Sequence, residues 1–169
     1  MLVTQSCIVA DPPEYRAPVR TRPVLNVYSA VPTATRALVV YHTVPRVATR
    51  FSVQVRSEDR GENLRAIFFL DYEIHPGEDE LVSQTITAST YDNTGRVILY
   101  SWLPPTTLKG CHFLSLVVAH QSSFLQSDEG HLDPRYADDD AAIVTWTVNV
   151  NPTDDGTLEN CPSKDPAGS

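Results

Sequence analysis

The sequence predicts an all-β protein, an antiparallel β-sandwich of about seven to eight strands, and three observations support this prediction. Short segments rich in β-branched and aromatic residues recur at regular intervals along the 169-residue chain. Turns rich in Pro, Gly, Asn and Asp separate these segments. No stretch of useful length shows the apolar period of an amphipathic helix. Together these features are typical of one antiparallel sandwich or barrel.

Eight segments have the pattern of strands. The first two are short, β-branched and bounded by Pro, and the third alternates between apolar and polar residues. The fourth is apolar on both faces, which is expected of a strand in the middle of a covered sheet. Turn-rich sequence such as Y-D-N-T-G separates later segments from one another. In chain order the predicted strands span residues 24–31, 36–44, 50–57, 65–74, 81–89, 96–103, 110–120 and 141–150.

The two ends of the chain differ in composition from its middle. Residues 1–23 contain closely spaced prolines, which indicate an extended, polyproline-like tether. Residues 24–150 contain all the strand patterns and are predicted to form the sandwich. Residues 151–169 are polar and rich in Pro and Gly, and we expect a loose C-terminal tail.

The charge of the chain argues against one large class of function. Its formal net charge is −8, and a general nucleic-acid binder needs a basic face that such a balance does not favour. No apolar run approaches the ~20 residues of a membrane helix. The opening M-L-V-T-Q-S-C lacks the charged and apolar regions of a complete signal peptide, although it fits the end of one.

The segment G-C-H-F-L-S-L-V-V, followed by I-V-T-W-T-V-N-V, resembles the last two strands of bacterial immunoglobulin-like domains. The resemblance implies that Gly110 makes a turn and that His112 sits at a corner where its ring bonds back to the preceding loop. The alternative is a metal site formed by Cys111 and His112. Adjacent residues of a strand point to opposite faces, so these two side chains are poorly placed to bind one ion.

The loop 121–142 is longer than the last hairpin of those domains, and long loops in compact domains are usually functional or disordered. Its carboxylates suit calcium, because hard cations prefer oxygen ligands, but the EF-hand spacing is absent. Contact with a partner or ligand and a passive loop are the other two interpretations. The candidate contact residues are Phe124, Asp128, His131, Asp133, Tyr136, Asp138, Asp139 and Asp140.

Three cysteines predict where the protein resides, since an odd number in an exported protein needs an explanation. We expect Cys7 to carry the lipid of a bacterial lipoprotein, because Ser6 gives a weak similarity to a lipobox. Cys111 and Cys161 would then form one disulfide. Ile8 fits sorting to the outer membrane. The alternative is three unrelated thiols in a cytosolic chain.

The predicted function is a non-catalytic module displayed on the cell envelope, which binds a protein or glycan or forms part of a larger assembly. The sequence has no nucleophile elbow, P-loop, zinc-protease motif or dinucleotide fingerprint, and we expect no cofactor. Asp71 and Glu73 are interpreted as solvated residues at a strand end. The membrane is reached only through the lipid anchor. The alternative is a small envelope hydrolase or metal-dependent enzyme with its site in the loop 121–142.

Overall fold

The computed structural model describes residues 21–41, 45–59, 61–72, 80–88, 95–126, 132–133, 140–152, 158 and 161. The predicted tether therefore lies almost entirely outside the described residues, and so does most of the predicted tail. Within the described ranges, no helix has the length and apolar character needed to cross a membrane.

Ten strands and one short 3-10 helix at residues 121–123 make up the described secondary structure. All eight predicted strands are present, with ends that differ by a few residues from the predicted ones. The strands are β1 (Val24–Val31), β2 (Leu38–Val40), β3 (Thr49–Arg56), β4 (Leu64–Leu70), β5 (Glu80–Ile86), β6 (Arg96–Trp102), β7 (Gly110–His120), β8 (Leu125–Gln126), β9 (Leu132–Asp133) and β10 (Ala142–Val150).

Eight of the strands form two facing sheets, in the order β1-β3-β6 and β2-β10-β7-β4-β5, while β8 and β9 pair only with each other. An immunoglobulin-like sandwich places its A, B and E strands in one sheet and its G, F, C and C′ strands in the other. The strands β1, β3 and β6 correspond to the first set, and β10, β7, β4 and β5 to the second. The predicted fold class is confirmed, with one departure: β2 pairs with β10 in parallel.

The main core lies between the two sheets. Alternate residues of each strand point inward, so β3 buries Phe51, Val53 and Val55 while its other residues face outward. Trp146 on β10 lies at the centre, with its ring 5.3 Å from Phe51, and its indole N–H donates to the Pro32 carbonyl oxygen over 2.7 Å. Burial of each large apolar side chain contributes about 1.5–3 kcal/mol.

A second apolar cluster explains why β4 and β7 are apolar on both faces. Ile67 and Phe69 on β4, with Val117 and Ala119 on β7, point away from the main core, yet each is at most 1% exposed. Three further residues pack on them and are here called the cover: Tyr72, Phe124 and Ala141. Two of the three belong to the loop 121–142, so the described start and end of that loop fold back over the outer face of the five-stranded sheet.

Backbone conformations fix the ends of two strands. Asp71 has a φ of 52°, a left-handed value that a strand cannot contain, so β4 stops at Leu70 instead of running to residue 74 as predicted. Gly110 has a φ of 91° at the entry to β7. The turn that the resemblance implies at Gly110 is therefore present, and a residue with a Cβ would be strained there.

Candidate functional site

The two ends of β7 hold the described histidines, and each imidazole lies against a carboxylate. At the start of the strand, the Nδ1–H of His112 donates to Asp71 Oδ2 over 2.7 Å. Its Nε2–H donates to the Lys109 carbonyl oxygen over 3.1 Å, which is the corner bond implied by the resemblance. Asp71 is also held by the backbone, since the Phe113 N–H donates to its Oδ1 over 2.8 Å.

This geometry favours the charged form of His112. A carbonyl oxygen and a carboxylate oxygen can only accept, so both ring nitrogens must carry a proton for both bonds to form. The hydrogen bond to Asp71 raises the pKa of His112 above its ordinary value, helped by the charge of Asp71 and the Lys109 bond, while partial burial opposes the rise. The pair ties the turn after β4 to the start of β7.

The disulfide predicted from the cysteine count lies beside this corner. Cys111 and Cys161 are bonded, with Cα atoms 4.6 Å apart. Cys111 is buried at 3% exposure. The bridge therefore attaches the chain beyond β10 to the first residues of β7, next to the His112 corner.

At the other end of β7, His120 is fully buried and lies between two carboxylates. Its Nδ1 is 2.7 Å from Asp140 Oδ1, and its backbone N–H donates to Asp140 Oδ2 over 3.0 Å. The Ser123 hydroxyl donates to the same Oδ2 over 2.6 Å. One carboxylate, two residues before β10, thus joins that strand to the end of β7 and to the 3-10 helix.

Asp59 extends this network to the N-terminal side of the sandwich. Its Oδ2 lies 3.1 Å from His120 Nε2, which is ion-pair distance, although the two groups are not oriented for a hydrogen bond. The same Oδ2 accepts the Thr21 backbone N–H over 2.8 Å and the Thr21 hydroxyl over 3.2 Å. The chain that enters β1 is therefore fixed to the loop that follows β3.

Ser123, Asp140 and His120 include the residue types of a hydrolase triad. Their hydrogen bonds, however, connect them in a different pattern from the one that such catalysis needs. In a triad the hydroxyl bonds to the imidazole, which removes its proton, and the carboxylate orients the imidazole from the far side. Here the hydroxyl bonds to the carboxylate instead. His120 has no exposed surface, so no substrate reaches it. The arrangement is structural: it holds neighbouring segments together at the end of β7, and such a hydrogen-bonded link is here called a pin.

The pKa of Asp140 reflects the same contacts. Burial alone would raise it, but the hydrogen bonds from Ser123 and from the backbone and ring of His120 outweigh burial and hold the pKa below its usual value. Asp140 is therefore a carboxylate in the folded protein at neutral pH, and its acceptor positions are already occupied by these donors.

The structure describes only some of the loop residues that were predicted as ligand or partner contacts. Phe124 is 6% exposed within the cover, and Asp140 lies in the His120 network. The backbone of Asp133 pairs in β9. The others lie outside the described residues: Asp128, His131, Tyr136, Asp138 and Asp139. Cys7, the predicted lipid-attachment residue, lies outside them as well.

Several site residues were missed or misread in the sequence. Asp71, interpreted as solvated, is 13% exposed at its side chain and bonded to His112. Glu73, its proposed neighbour on the same face, lies outside the described residues. The contact of Asp59 with His120 joins segments far apart in sequence and has no local signal. Among the residues that the structure describes, no group of three or more His, Cys, Asp or Glu side chains could hold a metal ion.

The outer face of the three-stranded sheet is built differently from that of its partner sheet. It presents Val24, Arg50, Arg56, Val97 and Leu99, all exposed, and is here called the basic face. The strand register places Val24 beside Arg56. The sequences of β1, β3 and β6 contain no Asp or Glu. No described segment covers this face in the way that the cover lies on the five-stranded sheet.

Comparisons with known proteins give no functional assignment. No protein family's sequence profile matches the chain, and no curated protein matches it. Among solved structures, 12 chains match significantly. One is the CARDB domain of a Pyrococcus furiosus protein, solved in complex with di-metal ions; it shares 11% sequence identity with a TM-score of 0.41, over 68% of this chain and 83% of that chain. The strand order of this chain by itself establishes the sandwich fold.

Proposed function

We propose that this chain is a non-catalytic β-sandwich module that acts outside the cytoplasm, by binding a partner or as part of a larger assembly. The observation that carries the proposal is that its potentially reactive side chains are engaged in structural contacts. Both described histidines, the hydroxyl of Ser123 and three buried or half-buried carboxylates are engaged in pins at the two ends of β7. A catalytic site needs such groups directed at a space where a substrate fits.

The disulfide supports the proposed compartment. Disulfides persist in oxidising environments and are rare in the cytosol. Cys111 is buried in a core strand, and its bond closes a loop of 50 residues. The bridge is therefore part of the folded sandwich, which fits an exported protein.

Attachment through Cys7 is the finer part of the proposal. Thr21 is held at Asp59, so the described chain begins at a fixed point on the sandwich. The Pro-rich sequence between Cys7 and that point would serve as an extended spacer between a lipid and the module. On this view the protein lies at the outer membrane and presents the sandwich to a protein or glycan partner.

Two measurements test the proposal. In the cells that express the protein, Cys111 and Cys161 should resist a thiol-alkylating reagent until a reductant is added, and the peptide that contains Cys7 should carry the mass of a lipid. Free thiols at all three positions would overturn the proposed compartment. An unmodified peptide running through Cys7 would remove the lipid anchor alone.

The absence of catalysis is tested with the purified, oxidised protein. We expect no turnover of ester, phosphate, glycoside or peptide substrates that depends on the loop 121–142. The matched variants are His131→Ala and Asp138→Asn, which change the loop without touching a described contact. Turnover that either variant abolishes would establish the alternative, a small envelope hydrolase or metal-dependent enzyme.

A further inference from the structure

We propose that the basic face is the docking surface for a second copy of this chain, and that the acidic segment 127–139 of that copy occupies it. The inference rests on the proposed function, because it names the partner of the module. The contact would join opposite faces of successive copies.

Among the described residues, the basic face has the chemistry of an anion-binding surface without a bound carboxylate. Arg50 and Arg56 are exposed on the central strand of the sheet, and no hydrogen bond or ion pair between described residues involves either guanidinium. The third cation of the sheet, Arg96, is paired with the core-facing Val55 and does not belong to the basic face. Since the three strands contain no carboxylate, their positive charge is not neutralised within the sheet.

Apolar side chains flank the two arginines. Val97 is 62% exposed and Leu99 is 50% exposed on β6, and Val24 is 62% exposed on β1. Charged groups surrounded by exposed apolar ones are typical of protein interfaces, in which Arg is enriched. One end of the face opens into a cavity of about 400 Å³, lined by Thr21, Arg22, Val24, Arg56, Ser57 and Glu58.

Charge complementarity identifies the occupant. The whole chain has a formal net charge of −8, although this sheet contains only arginines as charged residues. The segment 127–139 contains five carboxylates against the single Arg135, with Leu132 and Tyr136 as apolar neighbours. Acidic and apolar groups in one segment match the arginines and apolar side chains of the basic face.

The described residues that flank the segment lie away from the basic face of their own copy. Phe124 packs on the outer face of the five-stranded sheet, and Asp140 is bonded to His120 at the end of β7. The basic face lies on the opposite side of the sandwich. A contact between two different patches is heterologous, and when its rotation does not close a ring it generates an open chain of copies.

The test is sedimentation velocity of the purified chain over a range of concentrations. At an ionic strength of about 0.01 M, where the Debye length is about 30 Å, we expect concentration-dependent association that weakens at about 1 M, where it is about 3 Å. Arg50→Glu with Arg56→Glu should weaken association by about tenfold or more, because like charges then face each other. The control is Arg36→Glu with Lys109→Glu, which makes the same charge change at exposed positions outside the three strands.

A charge exchange identifies the occupant. Asp138→Lys with Asp139→Lys should also weaken association by about tenfold or more, and mixing this variant with the Arg50→Glu, Arg56→Glu variant should restore it. Circular dichroism verifies that each variant is folded. A monomer at every concentration and low salt would overturn the inference, and so would equal loss in the control or no restoration on mixing. A chain that stays monomeric but binds an acidic peptide would also overturn it. Thiol protection and absence of turnover are separate readouts, so the proposed function can stand when this inference fails.

Discussion

The outer faces of the two sheets have opposite environments. On the five-stranded sheet, Ile67, Phe69 and Val117 point outward and are nonetheless at most 1% exposed, because the cover lies on them. On the three-stranded sheet, Arg50 and Leu99 occupy equivalent outward positions and remain exposed. The comparison shows that a sandwich with one face in solvent can bury both faces of one sheet by packing a few residues from flanking loops on it.

The difference is recorded in the strand sequences. β4 and β7 are nearly continuous apolar runs, as strands covered on both sides should be. β3 alternates, as a strand with one solvated face should. The five-stranded sheet therefore buries apolar side chains on both of its faces, while the three-stranded sheet buries them on its inner face and exposes its outward positions.

The largest expected effect comes from removing the cover. Phe124→Ala should lower the free energy of unfolding by about 3–5 kcal/mol, since it removes a buried ring and leaves a cavity over the second cluster. The measurement is urea unfolding followed by Trp fluorescence. Tyr28→Ala is the matched control, because Tyr28 is 102% exposed on β1, and it should change the value by less than about 0.5 kcal/mol. Equal effects of the two variants would contradict the asymmetry between the faces.

The disulfide should have the next largest effect. Reduction, or the double variant Cys111→Ala with Cys161→Ala, should lower the free energy of unfolding by about 2–4 kcal/mol, because the unfolded chain gains the freedom of the opened loop. The measurement is the urea midpoint with and without reductant. The same reductant should leave the double variant unchanged. A wild-type midpoint insensitive to reductant would show that the bridge adds no stability to the five-stranded side.

The sequence predicts the parts of this comparison that have a local signal. All eight sandwich strands, the apolar character of both faces of β4, and the roles of Gly110 and His112 at the corner follow from pattern or resemblance. The cover does not, because nothing local distinguishes an apolar residue such as Phe124 that packs back onto a sheet from one that contacts a partner. Asp59 and His120 meet only after folding, and the left-handed backbone at Asp71 is not encoded by apolar alternation.

A smaller effect is expected where the cover is pinned. Asp140→Asn should lower the free energy of unfolding at neutral pH by about 1–3 kcal/mol, since it weakens bonds from His120 and Ser123. The pKa of Asp140 is lowered by folding, so its contribution is present above the pKa of the unfolded chain and is lost as pH falls through the folded value. When the free energy of unfolding is measured from neutral to acid pH, it should therefore fall less steeply in the variant than in the wild type.

The control for that experiment is Glu58→Gln, which neutralises an exposed carboxylate near the same network. Its free energy of unfolding should decrease with falling pH as steeply as that of the wild type, and should differ from the wild-type value by less than about 0.5 kcal/mol at neutral pH. If both variants alter the pH dependence of the free energy of unfolding equally, then overall charge determines it, and not the contacts of Asp140.

The His112 corner should contribute about 1 kcal/mol, with the opposite pH dependence. Folding raises the pKa of His112, so its contribution is complete below the pKa of the unfolded imidazole, about 6.5, and is lost as pH rises through the folded value. His112→Gln should remove this loss of stability on the alkaline side. An NMR titration of the ring provides the direct measurement, and a pKa of His112 below its ordinary value would contradict the proposed bond to Asp71.

The smallest expected effect is on the basic face, for the variant Leu99→Thr. Leu99 is 50% exposed and lies beside Ser52 on the outward side of the sheet. Threonine keeps the preference for strands, and little apolar surface leaves the interior, so the free energy of unfolding should change by less than about 0.5 kcal/mol. Val117→Thr on β7 is the matched variant on the covered side; it places a hydroxyl at a fully buried position and should lower that free energy by about 1–3 kcal/mol. If urea unfolding gives the two variants the same stability, the outward positions of the two sheets do not differ in environment, and the comparison on which the basic face depends is wrong.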